Sequence, residues 1–243
     1  MDTLFWTRCN PNKIAFKPTT KKFFDKFLYK IVVYCPAGRL ILSDNDLSDE
    51  LARRKEMNKH INYGGYWGSG SNKDLEYASI PLLEKLRYIK LSSSPKVKFR
   101  VEEPGIQIYA ETEDQLKQVV NQLDPAWKSN IREVFGPKDA ESESFLNSGA
   151  ILRKTDIGFK YKVLLKDGRY TGETKLQLKT YLGNLGCDTI KVSKTGLDML
   201  SKPTGFIWNL YFYTNDLNIL TFLNLICPGI VSNFHELVVA TDK

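Results

Sequence analysis

Histidine is almost missing from this chain, with two in 243 residues, His60 and His235. Cysteine is little commoner: Cys9, Cys35, Cys187 and Cys227 stand far apart, and no Cys-x-x-Cys pair occurs. A structural zinc site needs such residues at short spacing and a disulfide framework needs a dense set, so no metal, no cofactor and no disulfide scaffold is expected. Nothing matches a Walker loop, a Gly-x-Ser-x-Gly elbow or a His-Glu-x-x-His helix, and the glycine-rich GGYWGSGS leads into no Lys-Thr pair. Asp44, Asp46, Asp49 and Glu50 lack the spacing of a calcium loop and read as helix-capping residues. A long unbroken apolar run is lacking too. The most apolar stretch, 205–231, is broken by Asn209, Thr214, Asn215, Asp216, Asn218 and Asn224, and reads as core with no membrane span. The start, MDTLFWTR, shows no basic leader before an apolar segment, so no export signal is read there. The expected location is the cytoplasm, or a host cytoplasm or virion if the source is viral.

What the chain does have is charge and aromatic bulk. It carries 35 Lys and Arg against 28 Asp and Glu, a net +7 with a pI near 9.1, which directs attention to a polyanionic partner. With 42% hydrophobic and 12% aromatic residues it can bury real cores. Frequent Asn and Lys and sparse Ala give the composition a phage-like or viral cast.

The sequence also repeats itself. SNFHEL at 232–237 echoes SNIREV at 129–134, and at the same shift of 103 Ile219, Phe222, Leu223 and Ile226 fall on Leu116, Val119, Val120 and Leu123, one stripe of an amphipathic helix. FKYKVLL at 159–165 likewise resembles FLYKIVV at 27–33. Each copy reads strand, helix, strand, strand, helix, strand: strands at 29–35, 97–102, 106–112 and 131–135 with helices at 81–89 and 114–123, then strands at 161–166, 189–193, 206–214 and 234–240 with helices at 174–185 and 216–226. The expected fold is therefore α+β, a tandem duplication of a ferredoxin-like (RRM-like) βαββαβ unit with an insertion in the first copy. Its expected parts are an N-terminal extension (1–26), a first domain (27–136) with the insertion at 43–76, a linker (137–157) and a second domain (158–243).

Alternation along the strands predicts which residues face away from the helices. Phe206, Trp208, Leu210 and Phe212 read as a core row, leaving Ile207, Asn209, Tyr211 and Tyr213 outward; Tyr109, Lys98, Arg100, Lys160, Lys162 and Lys191 are outward on the other strands. Cations for phosphates beside flat rings for bases make these seven, Lys98, Arg100, Tyr109, Lys160, Lys162, Lys191 and Tyr211, the candidate nucleic-acid site, for RNA more than DNA. Tyr63, Tyr66 and Trp67 of the insertion are expected to close over the strand. TGFIWNLY at 204–211 resembles the aromatic octamer on the third strand of RRM domains, although Thr204 replaces a basic residue, and that resemblance implies that Phe206 and Trp208 face RNA instead of the core. Tandem units in a basic chain also resemble the repeat-associated RNA-binding proteins of CRISPR systems and their repeat-processing endoribonucleases, which implies a general base at His60 beside Lys59 and Tyr63; the C-terminal glycine loop of those enzymes is missing here. The function read from the residues is non-catalytic nucleic-acid binding within a larger complex. The competing reading is an assembly subunit that meets other protein chains through Leu217, Leu220 and Leu225, an apolar back on the last helix.

Overall fold

The stretch YKIVVY buries Ile31 and Val33 fully and leaves Tyr34 exposed, the alternation required of a strand with one covered face. Such strands build two compact units, Met1–Glu143 and Ser144–Lys243, in a mixed α+β architecture. The computed structural model describes residues 1–10, 14–35, 38–42, 46–60, 80–92, 96–102, 105–202 and 205–240.

The first unit runs α1 (Thr3–Cys9), β1 (Ala15–Pro18), β2 (Tyr29–Tyr34), a 3-10 turn (Gly38–Leu42), α2 (Leu47–His60), α3 (Ile80–Leu91), β3 (Lys98–Glu102), β4 (Gly105–Ala110), α4 (Glu113–Asn121), a single turn α5 (Pro125–Lys128) and β5 (Ile131–Gly136). Helix α6 (Ala140–Asn147) crosses the boundary. The second unit continues with β6 (Ile151–Arg153), β7 (Tyr161–Leu165), β8 (Gly168–Arg169), α7 (Gly172–Asn184), β9 (Ile190–Val192), α8 (Lys194–Ser201), β10 (Phe206–Ile207), β11 (Tyr211–Thr214), α9 (Ile219–Ile226) and β12 (Val231–Val239).

Strand β10 pairs with β8 in a separate two-stranded sheet, and the two five-stranded sheets are ordered β1-β5-β2-β4-β3 and β6-β12-β7-β11-β9. In each, the edge strand that comes first in the chain lies parallel to the last strand, and the remaining neighbours are antiparallel. The agreement extends to register. β5 carries an irregularity between the pairs Val33↔Ile131 and Val32↔Glu133, and β12 carries one between Leu165↔Val231 and Leu164↔Asn233. One cross-strand row reads Lys98, Tyr109, Lys30, Phe135 in the first sheet and Lys191, Tyr213, Lys162, His235 in the second.

These registers correct three expectations. The SNFHEL and SNIREV echo is offset by three residues from the structural correspondence, which pairs Ile131 with Val231; the turn α5 lengthens the first unit between its helix and last strand and absorbs the difference. Residues 1–26 are no appendage. Trp6 of α1 is fully buried and its Nε1–H donates to Glu113 of α4 at 2.8 Å, and β1 extends the sheet. Nor is 137–157 a plain linker, since it supplies α6 and the edge strand β6. The helix stripe was read correctly in the first unit, where Leu116, Val119, Val120 and Leu123 are buried, and in part in the second, where Ile219 and Leu223 are buried and Phe222 is exposed.

A candidate nucleic-acid interface on the second sheet

Between β10 and β11 the alternation slips by one residue. Ile207, Leu210, Phe212 and Thr214 are all buried, a spacing of three and then two, because Asn209 adopts a left-handed backbone with φ +46°. Asn reaches that region more readily than most non-glycine residues, and one such residue in a strand makes a bulge that reverses the phase of what precedes it. Its N–H is held by the Asp167 carboxylate at 2.7 Å. Phe206 and Trp208 therefore leave the core: they are 37% and 58% exposed, with ring centroids 4.2 Å apart and planes 30° from parallel. The assignment of these two to the core, and of Ile207 to the outside, is corrected. Phe206 and Trp208 form one exposed ring pair, and Tyr211 and Tyr213, both half-buried, form another on β11.

Cations accompany the rings. The Lys162 ammonium lies 3.8 Å from the centroid of Tyr211, Tyr211 meets Tyr213 edge to face at 5.5 Å, and Phe159 stacks on Tyr213 at 6.3 Å. The neighbouring Tyr213, and then burial, raise the Tyr211 phenol above its ordinary pKa, so the ring stays neutral near pH 7. Lys191 and Lys160 are exposed, and among the described residues neither has an ion-pair partner. Arg169 is exposed and pairs across β8 and β10 with Phe206. By contrast Lys17–Glu133, Lys26–Glu111 and Arg100–Glu102 are ion pairs of the first unit.

The matching face of the first sheet is closed. A turn whose ends, Phe23 and Phe27, form an isolated bridge folds over it, and Tyr109 is only 3% exposed, ringed by Phe23, Phe24 and Phe27 at centroid distances of 5.3, 5.0 and 6.3 Å. Its hydroxyl donates to Gln107, Gln107 donates to Glu102, and Glu102 pairs with Arg100 at 2.7 Å. Tyr109 thus has no free ring face for a base, Arg100 is neutralised, and the Lys98 ammonium sits 3.6 Å from the Phe24 ring centroid. Among the described residues the candidate positions therefore differ in setting, with Tyr109 buried on the first sheet and Tyr211 and Tyr213 half-buried on the second.

The other candidates scatter. Tyr63, Tyr66 and Trp67 lie outside the described residues, as does the side chain of His60, whose backbone ends α2. His235, expected at the surface, is buried with Nδ1 2.9 Å from the Gly149 carbonyl oxygen. Leu217 precedes α9 and is half-buried; Leu220 packs against the core of its own unit; Leu225 is 74% exposed beside Phe222 at 55%. Sequence reasoning missed Lys175 of α7, 1% exposed, whose Nζ–H donates to the Gly205 carbonyl at 2.9 Å and so fixes the loop that precedes Phe206. Asp46 accepts from the N–H groups of Ser48 and Asp49 at the start of α2, the capping role read for it. Among the described residues no helix is long and apolar enough to cross a membrane, and no cluster of His, Cys, Asp and Glu forms a metal site. Comparison with protein-family models, with curated proteins and with solved structures gives no match.

Proposed function

We propose that the chain binds single-stranded RNA, without cleaving it, on the helix-free face of the second sheet, within a larger ribonucleoprotein or viral assembly. The observation that carries this reading is two ring pairs, exposed Phe206 with Trp208 and half-buried Tyr211 with Tyr213, in a unit whose Lys160 and Lys191 are exposed. Rings of this kind stack bases of any sequence, and the lysines neutralise the backbone that links them. The two units are read as ferredoxin-like copies of one ancestral segment, on the strength of their shared strand order, shared bulge and shared Lys-Tyr-Lys row. In that reading the second copy kept, or gained, the open face.

A mobility-shift assay with a labelled oligouridylate over a salt series tests it. Trp208→Ala is expected to weaken binding roughly 5- to 150-fold, the worth of one stacked base. Lys160→Ala is expected to lower the slope of log K against log salt by about 0.7. If the wild-type protein does not retard the oligonucleotide at low salt, the reading is wrong. Exposed Phe222 and Leu225 on α9 favour a second reading, a protein-contact surface of an assembly subunit, and that reading would then stand alone.

A further inference from the structure

The two corresponding rows differ in what lies over their tyrosine, and the first shows what such a row accepts. In the first sheet the row Lys98, Tyr109, Lys30 is filled by the chain itself: the Phe24 ring stands edge-on to Tyr109 at 5.0 Å and 82°, with the Lys98 ammonium 3.6 Å from its centroid. Phe23 lies beside it, 5.3 Å from Tyr109 and 4.9 Å from the Lys30 ammonium. Phe24 and Asp25 hold φ of +54° and +55° to make this turn, a conformation that non-glycine residues keep only where surrounding contacts over-determine it. The contacts of the two phenylalanine rings with tyrosine and lysine add to the Lys21–Asp25 ion pair at 3.1 Å and to the backbone hydrogen bonds between Phe23 and Phe27 in holding it.

In the second sheet the row keeps its Lys-Tyr-Lys order, and among the described residues no pair of rings from the preceding turn lies over Tyr213. Phe27 lies 6.3 Å from Tyr109, and Phe159, 132 residues on in the matching segment, lies 6.3 Å from Tyr213. At the same offset Phe23 and Phe24 give way to Thr155 and Asp156, both exposed, and Tyr213 is only half-buried. Lys162 is engaged over Tyr211, whereas Lys191, the counterpart of Lys98, is exposed and in no ion pair among the described residues.

We propose that the row Lys191, Tyr213 and Lys162 seats one planar base of a single-stranded nucleic acid against Tyr213 and beneath the Lys191 ammonium, as Phe24 is seated between Tyr109 and Lys98; this rests on the nucleic-acid reading above. Lys191 is then a base-contacting residue, its charge directed at a ring and not at a phosphate. The two roles separate by salt. A cation over a ring contributes affinity without releasing counterion from the backbone, while a phosphate contact releases it.

Fluorescence anisotropy of a fluorescein-labelled oligouridylate, titrated with the full chain over a salt series, distinguishes them. Lys191→Ala is expected to weaken binding about 3- to 30-fold at every salt concentration and to leave the slope of log K against log salt unchanged. Lys160→Ala, the phosphate-type control, is expected to lower that slope by about 0.7. A Lys191→Ala slope lowered as much as that of Lys160→Ala, or an unchanged affinity, overturns the base-seating role while the nucleic-acid reading stands. Absence of any binding by the wild-type chain overturns both.

Discussion

At the scale of single residues, burial sets the chemistry more than charge does. Tyr29 is buried on β2, and its hydroxyl donates to Glu143 at 3.4 Å. Burial, and then the negative Glu143, push its phenol from 10.0 up to about 12. A raised acid pKa means that the folded state holds the proton more tightly than the unfolded one. This contribution is complete below pH 10 and is lost as pH rises from 10 through about 12. Urea unfolding at a series of alkaline pH values should show wild-type stability falling across that window and Tyr29→Phe falling less steeply; parallel curves would assign the loss to other groups. Nothing in the local sequence of Tyr29 announces this, because the carboxylate beside it lies 114 positions away.

Among the elements, the βαββαβ succession was legible and its interruptions were not. Hydrophobic period and turn residues located the eight strands and four helices of the two expected copies to within a few residues. They missed β1 and β6, four and three residues long, too short for an alternation to show. The rings that cover Tyr109 come from a turn more than eighty positions upstream, and strand alternation is silent about what a distant turn lays on a sheet. The break at Asn209 was missed for a different reason: alternation assumes an unbroken strand, and a single left-handed residue inverts every assignment before it. Phe206 and Trp208 owe their exposure to that residue. Asn209→Val is expected to cost about 1 to 2 kcal/mol in thermal unfolding, because a β-branched side chain is poorly tolerated at positive φ, whereas Asn209→Gly should stay close to wild type. Equal stability of the valine variant would show that the bulge is not held by this conformation.

For the whole molecule, the net charge of +7 is informative only once it is divided. The second unit carries 12 Lys and Arg against 8 Asp and Glu, a net of +4 in the shorter part of the chain. In the first unit several cations are tied to carboxylates, as in Lys17–Glu133, Lys26–Glu111, Arg100–Glu102 and Lys117–Asp2. Composition alone has no means of saying which unit holds the unpaired share of that charge. The distinction arises from pairing across strands, which is a property of register.

The sheets also end in a particular way. One end of each is a very short strand, and β1 stops at Pro18, which has no N–H to offer a further strand. The other end is β3 or β9, carrying Lys98 and Arg100 or Lys191 on the outward row. Unpaired edges are where folded chains recruit one another into fibrils, and brevity, proline and lysine are the means by which such recruitment is discouraged. Replacing Lys98 and Arg100 together with valine should leave the first unit folded and yet make the chain prone to form thioflavin-positive aggregates on quiescent incubation, a colloidal cost that follows from the edge alone.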